Sequence, residues 1–385
     1  MTHPPHPSVR THVTDLTDPF ARGRDLGAGC RQQVHATLAA YRQVWSAYGV
    51  DEAEVRAVGT AVLDPVDDFA PDLRAEMAGI ATGSGLAEWE IGALNARTEL
   101  MALGDQRLVA AGRLPGEDLS ECSMLVRLDV PADPRRSAGP LTAQTWDWHT
   151  PLADGWFCWS LRLPSGRTVH TLTEYGIVGK IGIGTGAADS SSLSVHFNAV
   201  RHRADTGTGG VPVHVVARRI LDEADTVDDA LAIAATAAVT ASAAVTVTAP
   251  GPDGWSAATM ELHPGGPSVV DAQGGWLAHT NHFVADDVAD PDQVSTATST
   301  TRERLTRVCT VATDDPPRDR EAAAARLATH DLGPRSVCVH GFPDAPIGQR
   351  TATLAVAVTE PADARLHVHA GRPCQVTPDG WWSAP

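Results

Sequence analysis

The hydrophobic period of this chain changes once, close to residue 120, and that change narrows the folds open to it. Upstream, apolar residues recur at three- and four-residue spacing over 32–48, 71–83 and 86–102, the pattern of amphipathic helices. Downstream, segments rich in Val, Thr, Leu and Trp predict strands at 122–130, 156–163, 167–173, 192–199, 243–248, 256–262, 274–278, 351–358 and 365–370. Helices are expected at 211–224, with Pro212 in its first turn, at 230–238 behind an Asp/Thr cap, and at 300–311 and 318–329. Runs of strands around helix pairs, in place of alternating βαβ units, point to an α+β fold. The expected architecture is four-layered, αββα, with two antiparallel sheets face to face and helices outside. The Gly/Pro/acidic stretch 112–120 reads as an exposed linker.

Bulk properties remove several function classes. A net charge of −17 with no basic run argues against a nucleic-acid partner, which needs a concentrated basic surface. The polar, Pro/His-rich start lacks the apolar region of a secretory signal, and no window approaches about 20 apolar residues. A cytoplasmic protein without a membrane partner is therefore expected. The six cysteines contain no CxxC pair, which argues for separate thiols over a disulfide framework or a zinc ribbon. No metal is expected. His279 and His282 form an HxxH pair without a Glu at helical spacing, and a metal hydrolase built on them remains a remote alternative.

Cys122 opens the first strand-like run after the linker, and Thr145-Trp146-Asp147-Trp148-His149 follows about twenty residues later. A thiol at a strand start behind a loop that tolerates cleavage can become an N-terminal nucleophile. Asp147, between two large rings, either orients such a nucleophile or closes a turn. Asn198 ends an alternating strand and is either an oxyanion donor or a strand-end turn residue; His196 shares its face. Trp146 and Trp148 suit the core or an acyl pocket. Arg302 and Arg304 open a helix and suit its solvated face, while Lys180, the only lysine, is either a structural side chain or a contact for an anionic group.

The ordered strings Asn95-Ala-Arg-Thr-Glu-Leu100, Cys122, Thr145-Trp-Asp-Trp148, Tyr175-Gly-Ile-Val-Gly-Lys-Ile-Gly182, Phe197-Asn-Ala199, His279-Thr-Asn-His282, Val337-Cys-Val-His340 and Ala370-Gly-Arg-Pro-Cys374 span most of the chain. Together they resemble the acyl-coenzyme A:6-aminopenicillanate acyltransferase (isopenicillin N acyltransferase) family of self-processing N-terminal-nucleophile hydrolases. The resemblance implies that αββα fold and cleavage between Glu121 and Cys122. Residues 1–121 would then be a pro-segment that stays bound as a heterodimer partner of the catalytic part, 122–385. It also implies acyl chemistry through Cys122, with Asp147 orienting, Asn198 as oxyanion donor, and one of Arg302 and Arg304 binding a substrate carboxylate. The implied substrate is a small acylated amine or amide. No cofactor is implied, with acyl-coenzyme A as a possible acyl donor. Glu121 stands where the family carries a small Gly, and 181–190 lacks the family's Asn-containing turn. A purely hydrolytic amidase and an unprocessed binding protein are the competing readings.

Overall fold

The computed structural model describes residues 8–110, 122–186, 192–288, 299–341 and 344–384. Glu121 and the linker 112–120 lie outside the described residues. The described chain begins with β1 (Thr11–Thr14) and seven helices: α1 (Pro19–Gly29), α2 (Arg31–Ala47), α3 (Glu52–Ala61), α4 (Leu63–Phe69), α5 (Pro71–Ser84), α6 (Glu88–Asn95) and α7 (Arg97–Ala110). Strands follow: β2 (Ser123–Val130), β3 (Gly139–His149), β4 (Trp156–Arg162), β5 (Thr168–Glu174), β6 (Ile181–Thr185) and β7 (Ser192–Ala199). Then come α8 (Val213–Glu223), α9 (Val227–Ala235), β8 (Ala243–Gly251), β9 (Gly254–His263), β10 (Gly266–Asp271) and β11 (Trp276–His279). The chain ends in α10 (Thr301–Asp314), α11 (Arg320–Leu327), β12 (Thr351–Glu360), β13 (Arg365–Ala370) and β14 (Trp381–Ser383).

Two sheets form. The larger runs β1-β4-β5-β6-β7-β8-β9-β10 and the smaller β11-β2-β3-β12-β13-β14, with every pairing antiparallel except β1 on β4. Helices α8 and α9 lie against the larger sheet, and α10 and α11 against the smaller, completing the four layers. Two-residue alternation on β3 divides its side chains. Leu141 and Ala143 join Val308, Ala323, Ala324 and Leu327 in the core beneath α10 and α11. Thr142 and Gln144 point the other way and bond to β7 across the sheet interface.

The helical segment before residue 111 is fused to the rest, not appended. A single apolar core joins Leu38, Trp45, Met77 and Ile91 to Phe157, Leu172, Ile181 and Val216. Close helix contacts rest on glycines: a Cβ on Gly23 or Gly27 of α1 would lie 2.0 or 2.4 Å from carbonyl oxygens of α5. The continuous helix expected at 86–102 is instead two, broken at Ala96. At the end of α6 the Asn95 amide donates both to Ile91 O in its own helix and to Gly176 O, and accepts from Val178 N, tying the helix end to the turn before β6. Helices α1, α3 and α4 were not expected from the sequence.

Candidate active site

Cys122 is the residue before β2 and is 4% exposed. Strand pairing sets its surroundings: Ser123 lies opposite Thr145, and Asp147 lies opposite Thr353 on β12. The Cys122 thiol donates to the backbone carbonyl of Asp147 over 3.8 Å. Its own carbonyl accepts two bonds, from Asn198 Nδ2 at 3.2 Å and Arg304 Nη1 at 3.0 Å. These donors come from the opposing sheet and from the helical layer, so three layers meet on one residue.

Each donor is held in turn. Arg304 is fully buried; its Nη1 also donates to Ser123 Oγ at 2.9 Å, and Nη2 donates to Asn281 Oδ1 at 3.0 Å. Asn281 Nδ2 then donates to Ala199 O at 2.8 Å, next to Asn198. Arg302, two residues earlier on α10, points outward and is exposed, because helical spacing turns it away from Arg304 by more than half a turn. Gln144 braces β7: its Nε2 donates to Phe197 O at 2.6 Å, and Phe197 N donates to its Oε1 at 3.2 Å. Those backbone partners orient the amide, so His196 Nδ1 donates to Gln144 Oε1 at 3.0 Å and Nε2 accepts from Thr142. Burial lowers His196 to about 3, so the ring is neutral and structural, and it does not contact Cys122.

Asp147 is buried, and both of its carboxylate oxygens accept hydroxyl bonds: Oδ2 from Thr145 at 3.2 Å, and Oδ1 from Thr353. Burial first, and the Asp147 charge second, push the Cys122 thiol up to about 11, against the pull of Lys180 and Arg304. At neutral pH the Cys122 thiol is therefore protonated.

Behind the thiol lies a cage of buried charge. Lys180 Nζ sits 3.6 Å above the Trp146 ring and 3.6 Å from Glu174 Oε2. Arg97 Nε donates to the same Glu174 oxygen at 3.1 Å and stacks 3.9 Å from the Trp148 ring. Tyr41 donates to the other Glu174 oxygen and accepts from Trp148 Nε1 at 2.9 Å. Burial lowers Lys180 to about 7, with Glu174 pulling the other way. Lys180 thus does not reach for solvent as a surface lysine would. Arg97, Asn95 and Asn281 fall within strings the sequence singled out, whereas Tyr41, Glu174, Gln144 and Thr353 carried no such signal.

His279 and His282 take different hydrogen-bond partners. His279 Nε2 bonds Glu261 Oε1 at 2.7 Å, while His282 Nδ1 bonds Thr301 Oγ1 at 3.0 Å. The Glu261 carboxylate also accepts from the backbone N–H groups of Val284 and Ala285.

His149, at the end of β3, is fully buried between the rings of Trp148 and Tyr48, and neither ring nitrogen has a hydrogen-bond partner among the described residues. Burial, with Arg97 and Arg201 nearby, lowers it to about 3. The unfolded ring takes a proton near its ordinary 6.5 and the folded ring does not, so stability is present above that value and lost as pH falls. His149→Phe is expected to reduce the loss of stability between pH 7 and pH 5 by about 2 kcal/mol. Urea unfolding of both proteins at the two pH values measures this, and equal slopes would rule the account out.

The sequence from 135 to 375 matches the family model for Acyl-coenzyme A:6-aminopenicillanic acid acyl-transferase. That span contains Asp147, Lys180, Asn198 and Arg304; Cys122 lies just before it. Among solved structures, the chain is similar to a Caenorhabditis elegans N-acylethanolamine-hydrolyzing acid amidase ortholog. The two share 12% identity and a TM-score of 0.41, over 68% of this chain and 100% of that one. It is also similar to penicillin V acylase from Agrobacterium tumefaciens, at 14% identity and a TM-score of 0.39, over 65% of this chain and 83% of that one. A variant of conjugated bile acid hydrolase from Clostridium perfringens shares 9% identity and a TM-score of 0.30, over 66% and 82%. These structural likenesses are distant, and the family match over 135–375 is what decides: the chain belongs to the acyl-coenzyme A:6-aminopenicillanic acid acyl-transferase family and is an enzyme of acyl transfer or amide hydrolysis.

Proposed function

We propose that this enzyme is cut between Glu121 and Cys122 and then passes an acyl group through a thioester on Cys122. One observation carries the reading: Asn198 and Arg304, from different layers, clamp the Cys122 carbonyl while its thiol rests against Asp147. A clamp on the carbonyl fixes the residue by one end and leaves the thiol and the backbone nitrogen as its reactive ends.

In processing, the thiol attacks the Glu121 carbonyl carbon. The Glu121–Cys122 amide breaks as the thioester forms, and the nitrogen takes up the proton. Water then hydrolyses the thioester, leaving a Glu121 carboxylate and a free Cys122 amine. That amine has an ordinary pKa of about 7.7–8.0, close enough to neutrality to remove the proton from its own thiol. Asp147, held by Thr145 and Thr353, orients the ammonium formed. Asn198 Nδ2 carries two hydrogens, and the bond to Cys122 uses one. The second supplies a donor for the oxyanion of a bound acyl group.

The acyl group comes from a small amide or a thioester such as acyl-coenzyme A, and leaves to water or an amine. The catalytic part, 122–385, works with 1–121 still attached, because Arg97 and Tyr41 hold Glu174 behind the site. Intact-mass spectrometry of the purified protein tests the reading. Two masses are expected, matching 1–121 and 122–385. An undivided chain that still turned over amides or thioesters would overturn the processing step. Comparing release of a coloured amine from an amide with acyl transfer from a thioester then separates hydrolase from transferase.

A further inference from the structure

Away from Cys122, His330, Cys338, His340 and Cys374 bring their ligand atoms within 4.8 Å of one another. They are the one group of three or more His, Cys, Asp or Glu side chains among the described residues that converges in this way. We propose that these four side chains form a structural zinc site of the Cys₂His₂ type. The donor set is soft and contains no carboxylate, which selects Zn²⁺ over Mg²⁺ or Ca²⁺.

The spacing fits tetrahedral coordination. With Zn–S of about 2.3 Å and Zn–N of about 2.0–2.1 Å, a sulfur and a nitrogen ligand stand about 3.5 Å apart and two nitrogens about 3.3 Å apart. His340 Nε2 lies 3.6 Å from Cys338 Sγ, 3.5 Å from Cys374 Sγ and 2.9 Å from His330 Nε2. Two edges match, and the third opens by a few tenths of an ångström when a cation replaces the hydrogen bond between the rings. His330, His340 and Cys374 are exposed, so the ion has a path in from solvent.

The backbone is already bent for the task. His330 follows α11, Cys338 and His340 sit on the approach to β12, and Cys374 lies in the turn after β13. Cys338 N donates to Thr329 O at 3.2 Å, bringing the first two segments together. Gly341, at φ +76°, turns the chain immediately after His340, where a Cβ would strike Thr351 O at 2.3 Å. The four ligands therefore join three segments that the strand order alone leaves separate. The missing CxxC pair hid the site in the sequence, since Cys374 is far along the chain from the other three.

The site also bears on Asp147. Between the two central ligands, Val339 exchanges bonds with Thr353: Thr353 N donates to Val339 O, and Val339 N donates to Thr353 Oγ1, both at 3.1 Å. The same hydroxyl donates to Asp147. The bound cation thus anchors the loop that holds a carboxylate partner, as a positioning element without contact to substrate. Each thiol that binds releases its proton to solvent.

Elemental analysis of the full chain purified without chelator is expected to give one zinc per chain. After chelation, Co²⁺ is expected to restore the site with the visible d–d bands of a tetrahedral ion and a thiolate charge-transfer band. Cys374→Ser and His330→Ala should each weaken Co²⁺ binding at least by the roughly 10–100-fold that disturbing an outer-shell partner costs. Cys309→Ser, on α10, should leave it unchanged. Absence of stoichiometric zinc together with no Co²⁺ charge-transfer band in the chelated wild-type protein overturns the proposal. So does a mass deficit of two hydrogens that maps to a Cys338–Cys374 disulfide. Because metal content and spectrum are read without any turnover, failure here is distinct from failure of the Cys122 mechanism.

Discussion

Cys122→Ala is expected to purify as one full-length chain and to lose turnover by on the order of 10⁴-fold or more, the scale seen when a covalent nucleophile is removed. Loss of the methylene-bound sulfur removes the attacking atom of both proposed reactions at once, the cut before residue 122 and the acyl transfer after it. The fold should survive. Cys122 is buried, but the change is one small atom, and Asn198 and Arg304 grip its backbone carbonyl, not its side chain. Circular dichroism and urea unfolding should therefore stay near wild type while the mass spectrum shows a single species. Two fragments from the alanine variant would mean that another group cuts the chain. In an uncut wild-type sample the thiol, pushed up to about 11, should react slowly with iodoacetamide at neutral pH.

Glu76→Ala is expected to cost about 3–5 kcal/mol of stability, because it strands buried positive charge. Glu76 on α5 is fully buried between two arginines. Arg22 Nε on α1 donates to it at 2.6 Å, and Arg218 on α8 donates through Nη1 at 2.7 Å and Nη2 at 3.2 Å. Burial pushes its carboxyl up, yet Arg218 and then Arg22 outweigh this and hold it below its ordinary value. Asp222 partners Arg218 Nε, but among the described ion pairs Arg22 has Glu76 alone. The triad crosses the proposed cut, since Glu76 precedes residue 122 and Arg218 follows it. Urea unfolding should show the loss directly, and gel filtration should show the two fragments separating at lower denaturant than in wild type. As a reference, Glu52→Ala breaks the exposed pair with Arg42 and should cost no more than about 1 kcal/mol. Equal effects of the two substitutions would sink the account of the buried triad.

The sequence made the layers legible because period is a local property. Apolar residues at 3.6 spacing make helices wherever they occur, and alternating β-branched residues make strands, so the switch near residue 120 survives into the structure. Helix ends were legible where a local group acts, as where Thr226 and Asp229 cap α9. Where a distant partner acts, they were not: Asn95 bonds to Gly176 and Val178, and the helix breaks there.

The same division runs through the site. Cys122, Asp147 and Asn198 are chemically able residues in apolar strand contexts, and the family resemblance of the strings around them is what singles them out in the sequence. Nothing local chooses between Arg302 and Arg304; only the docking of α10 on β2 buries Arg304 against Cys122 and leaves Arg302 outside. Thr353 is 206 residues from Asp147 and meets it through the register of β12 on β3. His330, Cys338, His340 and Cys374 converge by the same means. By itself, the sequence determined where helices give way to strands, many of the individual elements, and which thiol was worth pursuing. The tertiary structure decided which side chains face each other, because strand register and sheet packing are set by burial summed over the whole chain and not by any one stretch of it.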